Sequence, residues 1–179
     1  MPEEPKPAEP EAAPPSLPDW VRAVQAAVPG GVTAVLGVEG GAGPADVPTL
    51  AAAPASWVAV AAALKSDGFD FLADLGAVDY PQRAARFEVV LHLRDLAAGR
   101  LVRVVTGVAA DGALGSLEPI LPGAGWPERE IFDLFGVRFD GNEDLRRLLL
   151  PDDWEGHPLR RDYPLTGPRA LDPGGPHAL

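Results

Sequence analysis

The chain has 179 residues, of which 26 are Asp or Glu and 15 are Lys or Arg, giving a formal net charge of −11. Because an acidic chain is repelled by phosphate backbones and by anionic lipid, neither nucleic acid nor a membrane surface is an expected direct partner. The sequence has no cysteine, which excludes disulfides, cysteine-ligated iron–sulfur clusters and thiol nucleophiles, and its three histidines lack the spacing of a zinc or haem site.

The two ends of the chain differ in composition from the rest. Seven of the 21 prolines lie in the first 18 residues, among Glu and Ala with little to bury, so ordering this segment would cost entropy without return. The last residues are similar. We predict a disordered Pro/Glu-rich arm at 1–18, an α+β core domain at 19–126, a charged and aromatic segment at 127–166 suited to partner docking, and a flexible tail at 167–179.

No targeting or membrane-spanning segment is expected. The first residues lack the basic patch and apolar run of a secretory signal. The longest uncharged stretch, residues 47–64, is mostly Ala, contains two prolines and is marginal in length for a bilayer. A cytosolic location is therefore the expectation from the residues alone.

The core domain is predicted to begin with a short amphipathic helix. Asp19 is a candidate N-cap, and apolar residues recur at helical spacing through 20–28 until Pro-Gly-Gly at 29–31 ends the run. Branched apolar residues bounded by glycine then favour a strand at 32–38 and a weaker one at 47–52.

A second helix and three strands follow. Pro54 suits the first turn of a helix that ends at 67–68, and one face of this helix carries Trp57, Val60, Ala61 and Leu64. Alternation with a period of two then predicts strands at 71–78, 87–94 and 101–108. These elements predict a two-layer α+β domain with a mixed, largely antiparallel sheet and helices on one face.

Charge and aromatic residues concentrate between residues 127 and 164. This segment of 38 residues holds ten Asp or Glu, six Arg and five aromatic residues. Rings bury a large area at low entropic cost, and arginine makes forked, charge-assisted bonds, so the combination is typical of partner interfaces.

The segment is predicted to open with a helix. Pro127 suits the first turn, Glu128 and Glu130 lie near the positive end of the helix dipole, and Gly136 is a stop signal. Arg129 and Asp133 are one turn apart, so an ion pair within the helix is expected.

Irregular structure is expected beyond this helix. Leucines at 145, 148 and 149 form a short apolar face that leaves Arg146 and Arg147 exposed. Three prolines then exclude regular structure, so residues 154–165 are predicted to run as an extended segment. Such a segment has few backbone partners of its own and must lie against its own domain or against another protein.

The same residues carry a resemblance to a known family. The runs W-P-E-R-E-I-F-D-L-F-G from Trp126 and D-L-R-R-L-L-L-P-D-D-W-E-G-H-P-L-R-R-D-Y-P-L from Asp144 resemble the signature of one subunit, designated C, of the respiratory NADH–quinone oxidoreductase, complex I. Residues 71–90 are also similar to that family. One departure is that the family usually has G-H-P-D-L-R where this chain has G-N-E-D-L-R from Gly141, so no role of that His-Pro pair can be carried over.

The resemblance implies a structural subunit of the hydrophilic arm of a proton-pumping complex. In that family the flavin, iron–sulfur clusters and quinone are held by partner subunits, and this chain would hold none. It would pack on other complex I subunits, chiefly the quinone-site subunit, designated D, and would lie at the cytoplasmic side of the cell (inner) membrane, touching it only through the complex. The signature residues expected at partner interfaces are Glu128, Arg129, Glu130, Asp133, Arg146, Arg147, Trp154, His157, Arg160, Arg161, Asp162 and Tyr163.

Other functions are compatible with parts of the sequence. A stand-alone enzyme would use Glu128, Glu130 or Asp133 as acid and base, with Arg129 binding an anion, but such chemistry needs two carboxylates of separated pKa around a pocket. An unspecific interaction module would share the adhesive C-terminal segment without the long signature. The equivalent subunit of a related membrane-bound hydrogenase, or of a dehydrogenase with another electron donor, is the nearest rival.

The histidines are interpreted structurally. His157 lies between Gly and Pro and is expected to be a hydrogen-bonding residue rather than a catalytic imidazole. His92 shares a strand face with Glu88 and is expected to be solvated or paired across strands. His177 belongs to the tail.

Overall fold

The computed structural model of the chain describes residues 18–35 and 47–165. The predicted tail and all but the last residue of the predicted arm lie outside these ranges, as does the end of the strand predicted at 32–38. The core domain and the charged segment are therefore the parts whose structure follows.

Three helices and seven strands make up the described part of the chain. The helices are α1 (Asp19–Ala27), α2 (Trp57–Ser66) and α3 (Gly125–Phe135), with short 3-10 turns at Pro54–Ser56 and Pro122–Ala124. The strands are β1 (Val32–Val35), β2 (Thr49–Ala52), β3 (Phe71–Asp79), β4 (Phe87–Asp95), β5 (Arg100–Val108), β6 (Ala113–Gly115) and β7 (Arg138–Asp140).

Five of the strands form one sheet in the order β1-β2-β5-β4-β3. Neighbours are antiparallel except β2 and β5, which run parallel. This confirms the predicted mixed, largely antiparallel sheet. The separate parallel pair of β6 and β7 was not predicted, because strands of three residues are too short to show an alternating pattern.

The alternating pattern of β4 explains the core. Phe87, Val89, Leu91 and Leu93 are all fully buried, whereas the residues between them are half-buried or exposed on the other face. Buried residues of all three helices belong to the same apolar cluster as this row. The helices thus cover one face of the sheet, and burial of this row drives the packing of the two layers.

Helix boundaries follow local chemistry, with one correction. The stop predicted at Gly136 is confirmed: this residue is left-handed, with a φ of 75°, and its N–H donates to the Phe132 carbonyl. The N-cap prediction for Asp19 is wrong by one position. Pro18 is the cap residue, Asp19 lies in the first turn of α1, and no side chain caps the helix.

Candidate protein-docking site

The segment after β7 folds back onto its own domain. We call residues 144–165 the C-terminal strap. It contains no helix or strand, as its prolines predict, and it is shaped by consecutive turns in which the amides of Trp154, Arg160 and Tyr163 donate to carbonyls three residues earlier. The sequence predicts that this segment lies against its own domain or against another protein. In the structure it lies against its own domain.

Asp133 of α3 is the first anchor of the strap. Its side chain is fully buried, and its Oδ2 accepts hydrogen bonds from the amides of Leu148 (2.9 Å), Leu149 (2.7 Å) and Leu150 (2.9 Å). Its Oδ1 accepts a bond of 2.8 Å from Nη1 of Arg147. One carboxylate thus fixes four consecutive residues of the strap.

The environment of Asp133 favours its ionised form. Burial alone would raise the pKa of this carboxyl group, but the bonds from Leu150, Arg147, Leu148 and Leu149 outweigh burial and leave the pKa below its ordinary value. An ionised acceptor makes hydrogen bonds about twice as strong as a neutral one. The anchor is therefore electrostatic as well as geometric.

Arg147 is built into the domain, so the prediction that it is exposed is wrong. Only 16% of its side chain is accessible, against 72% for Arg146. Besides pairing with Asp133, its guanidinium donates to the carbonyls of Trp154 (2.7 Å) and Gly156 (3.0 Å). The two adjacent arginines differ in burial because only Arg147 faces the Asp133 carboxylate.

Arg129 also binds the strap, and the predicted pair of Arg129 with Asp133 is wrong. Its Nη1 bonds Asp144 at 2.8 Å, and its guanidinium donates to the carbonyls of Arg146 and Arg147. Spacing places Arg129 and Asp133 on one side of α3, as predicted. Each then bonds groups of the strap, which occupies that side.

Asp79, at the end of β3, is the second anchor. Its buried carboxylate accepts two bonds from Arg86, at 2.7 and 2.8 Å, and one of 2.7 Å from the amide of Arg161. Arg86 in turn makes two bonds to Asp162, at 2.6 and 2.9 Å. The bond from Arg86 is the main reason that the pKa of Asp79 is lowered.

Sequence reasoning did not single out Asp79 or Arg86. The signal available was an aspartate directly after the predicted strand at 71–78, with an arginine directly before the predicted strand that begins at Phe87. Nothing in the sequence linked either residue to a strap about 80 positions away.

The strap also completes the C-terminus of α3. The last carbonyls of a helix have no partner within it. Here the Asp133 carbonyl accepts a bond from His157 Nδ1 (2.8 Å), and the Leu134 carbonyl accepts one from the Leu159 amide (3.1 Å). The Phe135 carbonyl accepts a bond from Arg160 Nε (2.6 Å). The expectation that His157 is a hydrogen-bonding residue is confirmed. Burial lowers the pKa of its imidazole.

The corner between α3 and the strap requires glycine. A Cβ at Gly136 would lie 2.5 Å from side-chain nitrogens of Arg160 and His157. The Arg160 guanidinium also lies over the Phe87 ring, 5.2 Å from its centroid. The strap is thus packed on the apolar core as well as bonded to the helix end.

Glu128 lies at the other end of α3 and is also fully buried. Its carboxylate accepts from the Leu117 amide (2.6 Å), Ser116 Oγ (2.7 Å) and Asn142 Nδ2 (2.9 Å). All three donors are neutral, and burial raises the pKa of the Glu128 carboxyl group. Asn142 belongs to the stretch where the sequence departs from the family pattern.

The remaining signature residues face outward to different degrees. Glu130 and the Arg161 side chain are exposed, and Tyr163 is half-buried against Gly156. Several large apolar side chains on or beside the strap are also exposed, namely Trp126, Leu149, Trp154, Leu159 and Leu165. His92 accepts a bond from Arg103 on β5, which confirms the predicted cross-strand role.

The carboxylates proposed for an acid–base enzyme do not face a common opening. Glu128 and Asp133 are fully buried and engaged at opposite ends of α3, whereas Glu130 is exposed. Arg129, the candidate anion-binding residue, is already bonded to Asp144. These side chains therefore do not form the pair of carboxylates around a pocket that acid–base chemistry needs.

Comparison with known proteins identifies the family to which this domain belongs. The model of the family described as respiratory-chain NADH dehydrogenase, 30 Kd subunit, matches residues 50–169. That range is about two thirds of the chain, and the chain therefore belongs to this family. The family is the one that the signature runs resemble.

Relatives within the family are named as the subunit designated C of NADH-quinone oxidoreductase. The protein of Jannaschia sp. is 45% identical over 122 residues, which are 66% of this chain and 59% of the relative. That of Trichlorobacter lovleyi is 52% identical over 114 residues, 62% of this chain and 70% of the relative. The chain thus spans about three fifths to seven tenths of these relatives.

Solved structures share the fold. A trypsin-resistant fragment of Nqo5 is 27% identical, with a TM-score of 0.59, and the match covers 70% of this chain and 98% of the fragment. A chain of an archaeal respiratory complex, the membrane-bound sulfane sulfur reductase, has a TM-score of 0.68 over 82% of this chain and 85% of its own. At 24% identity, the second likeness shows the fold alone.

Residues 18–35 and 47–165 carry neither a metal-binding cluster nor a helix that could span a membrane. These residues contain no group of three or more His, Cys, Asp or Glu placed to hold a metal ion. None of their helices combines the length and apolar content needed to cross a membrane.

Proposed function

We propose that the chain is a structural subunit of the hydrophilic arm of a proton-pumping NADH–quinone oxidoreductase. It supports electron transfer from NADH to quinone by holding the quinone-site subunit and its neighbours in place. Flavin, iron–sulfur clusters and quinone belong to partner subunits, and this chain supplies no catalytic group. The complex holds it at the cytoplasmic side of the cell (inner) membrane. Family membership and the names of the relatives support this proposal.

The observation that carries the proposal is the way the strap is fixed. Its polar groups bond inward to Asp133, Asp79 and the end of α3, while large apolar side chains remain exposed. An isolated domain gains nothing from this arrangement, because exposed apolar area is buried only when a second surface covers it. A pre-ordered strap also spares a partner the entropic cost of ordering it.

The signature residues then divide into two groups. Asp133, Arg147, His157 and Arg160 position the strap within the domain. The docking surface itself consists of exposed side chains, for which we propose Trp126, Leu149, Trp154, Leu159 and Arg161.

Affinity purification from membranes tests the proposal. A tagged copy of the chain, expressed in a strain lacking the native gene, is expected to restore NADH–quinone activity of membranes and to co-purify with flavin-bearing and quinone-site subunits. Recovery of the chain alone, with unchanged activity in the deletion strain, would contradict the proposal. Recovery with hydrogenase subunits and no flavin-bearing subunit would support the rival complex.

A matched pair of substitutions tests the docking surface. Leu149 on the strap and Leu96 in the β4–β5 turn are exposed to 62% and 61%. Because a charge at a buried apolar contact is costly, Leu149→Asp is expected to reduce recovery of the complex, and Leu96→Asp is not. Both variants should melt like the wild type when purified alone. Equal recovery of the two variants would place the docking surface elsewhere.

A further inference from the structure

A shallow pocket lies where the strap meets the turn between β3 and β4. It has a volume of about 360 Å³ and is lined by residues 79–83 and Arg161. It is separate from the exposed leucines of the strap. Its walls carry two arginines, an unusual feature in a chain with a net charge of −11.

The turn that forms one wall is fixed by its own hydrogen bonds. The Arg83 amide donates to the Tyr80 carbonyl (2.9 Å), and the Tyr80 amide donates to the Arg86 carbonyl (2.8 Å). Pro81 occupies the second position of this turn, where its fixed φ is favourable. The Arg83 guanidinium lies 3.6 Å from the centroid of the Tyr80 ring and pairs with Glu88 at 3.0 Å.

Arg161 forms the opposite wall and is mounted firmly. Its amide donates to the buried Asp79 carboxylate, and its neighbour Asp162 is held by Arg86. Within residues 18–35 and 47–165, its guanidinium makes no hydrogen bond, ion pair or ring contact. The guanidinium of its other neighbour, Arg160, is by contrast engaged. It donates to the Phe135 carbonyl and lies over the Phe87 ring.

Charges of both signs surround the pocket. The Arg86 guanidinium is shared by the Asp79 and Asp162 carboxylates, and Arg83 is paired with Glu88. Arg161 is a cation whose backbone is fixed and whose fork of donors is unused by the residues that the structure describes. Such a group matches a carboxylate, which accepts two parallel bonds from one guanidinium.

We infer that this pocket receives an Asp or Glu side chain of a partner subunit, bound by the Arg161 guanidinium against the Tyr80–Arg83 turn. The inference rests on the proposed function and adds the chemistry of the partner's contact. The backbone bond to Asp79 holds Arg161 in place before the partner arrives, so little ordering is needed on binding.

Charge reversal in the assembled complex is the first test. Arg161→Glu is expected to lower recovery of the complex by about tenfold relative to wild type, because like charges then face each other. Arg161→Lys keeps the charge without the fork and should fall between the two. Arg94→Glu, an exposed arginine at the other end of β4, is the matched control and should recover as wild type.

Crosslinking identifies the occupant. A photo-crosslinking amino acid in place of Gln82, which lines the pocket, is expected to capture a partner peptide containing Asp or Glu. Replacing that carboxylate by Arg should lower recovery, and combining the change with Arg161→Glu should restore it. Capture of no protein, or no restoration in the double variant, would overturn the inference.

The two proposals fail in different ways. If the wild-type chain never co-purifies with respiratory subunits, the proposed function is wrong. If it does, and Arg161→Glu recovers as well as Arg94→Glu, the proposed function stands and the carboxylate pocket is wrong.

Discussion

Strand β4 and the C-terminal strap meet at Phe87, yet they are ordered by opposite means. β4 buries a row of apolar side chains and turns its polar residues outward. The strap does the reverse, because its backbone and two of its arginines bond inward while Leu149 and Leu159 remain exposed. Apolar burial is non-directional and therefore tolerates small changes in geometry. A buried carboxylate, in contrast, needs each of its hydrogen-bond partners, because losing one leaves a buried polar group unsatisfied.

The comparison explains how a surface can be both ordered and adhesive. A strap held by its own apolar side chains would have none left to present. Holding it by polar groups frees those side chains, at the cost of two buried carboxylates, Asp79 and Asp133, whose loss is expensive. Substitutions placed in each region separate the two means of ordering.

The largest effect is expected from Asp133→Ala. Removing it leaves Arg147 and three strap amides without their acceptor, and breaking a buried ion pair costs about 3–5 kcal/mol. Urea unfolding measures the loss, and limited proteolysis should show new cleavage within residues 144–165. Asp140→Ala removes an exposed aspartate of β7 and should change neither. If Asp133→Ala were as resistant to protease as the wild type, interactions other than those of Asp133 would hold the strap.

A core truncation should act on the whole domain instead. Leu91→Ala empties a fully buried position in β4 and is expected to cost about 2–5 kcal/mol. The melting temperature should fall with one cooperative transition, without selective cleavage of the strap under native conditions. Leu96→Ala, an exposed leucine of the same hairpin, is the control. Early release of the strap in Leu91→Ala would mean that the two regions are not held independently.

The adjacent arginines should differ in the same assays. Arg147→Ala removes bonds to Asp133 and to two carbonyls and is expected to cost about 1.5–3 kcal/mol, the range for hydrogen bonds to charged groups. Arg146→Ala removes an exposed pair with Asp144 and should leave urea unfolding unchanged. Similar losses in both variants would contradict the assigned burial.

The smallest effect is expected from Glu128→Gln. Glutamine keeps an acceptor for the Leu117 amide, and the Ser116 hydroxyl can turn to accept. Only the bond from Asn142 Nδ2 is lost, so the cost should be about 1 kcal/mol. A loss as large as that of Asp133→Ala would show that Glu128 needs its charge.

The two buried carboxylates of α3 should also respond to pH with opposite signs. Because the folded pKa of Asp133 is lowered, its stabilisation is present above the unfolded pKa of about 3.9 and is lost as pH falls through the folded value. Because that of Glu128 is raised, its contribution is full below the unfolded pKa of about 4.3 and is lost as pH rises through the folded value. Melting curves of Asp133→Asn and Glu128→Gln between pH 2 and pH 8 measure the two slopes.

Much of the fold could be predicted because its signals are local. Alternation over residues 87–94 predicts β4, and Gly136 ends α3 as expected. Each signal is set by neighbours within one helical turn or along one strand. The pair of β6 and β7 escaped prediction because each strand is shorter than one full alternating pattern.

The site was harder to predict because its bonds join distant residues. Spacing assigns Arg129 and Asp133 to each other, but each side chain bonds groups 14 to 18 positions further along. Arg161 bonds Asp79 across 82 positions. The Arg147 side chain is mostly buried because the strap folds back onto the domain. No local sequence pattern specifies this position of the strap.

The completion of α3 by the strap has a consequence during protein synthesis. A nascent chain that has reached residue 150 contains every residue of the helix, but the groups that satisfy its last carbonyls, from His157, Leu159 and Arg160, are still to be added. The helix end and the adhesive surface therefore mature together, late in translation. Chains that end before residue 157 lack all three groups, and the last carbonyls of their α3 stay without these partners.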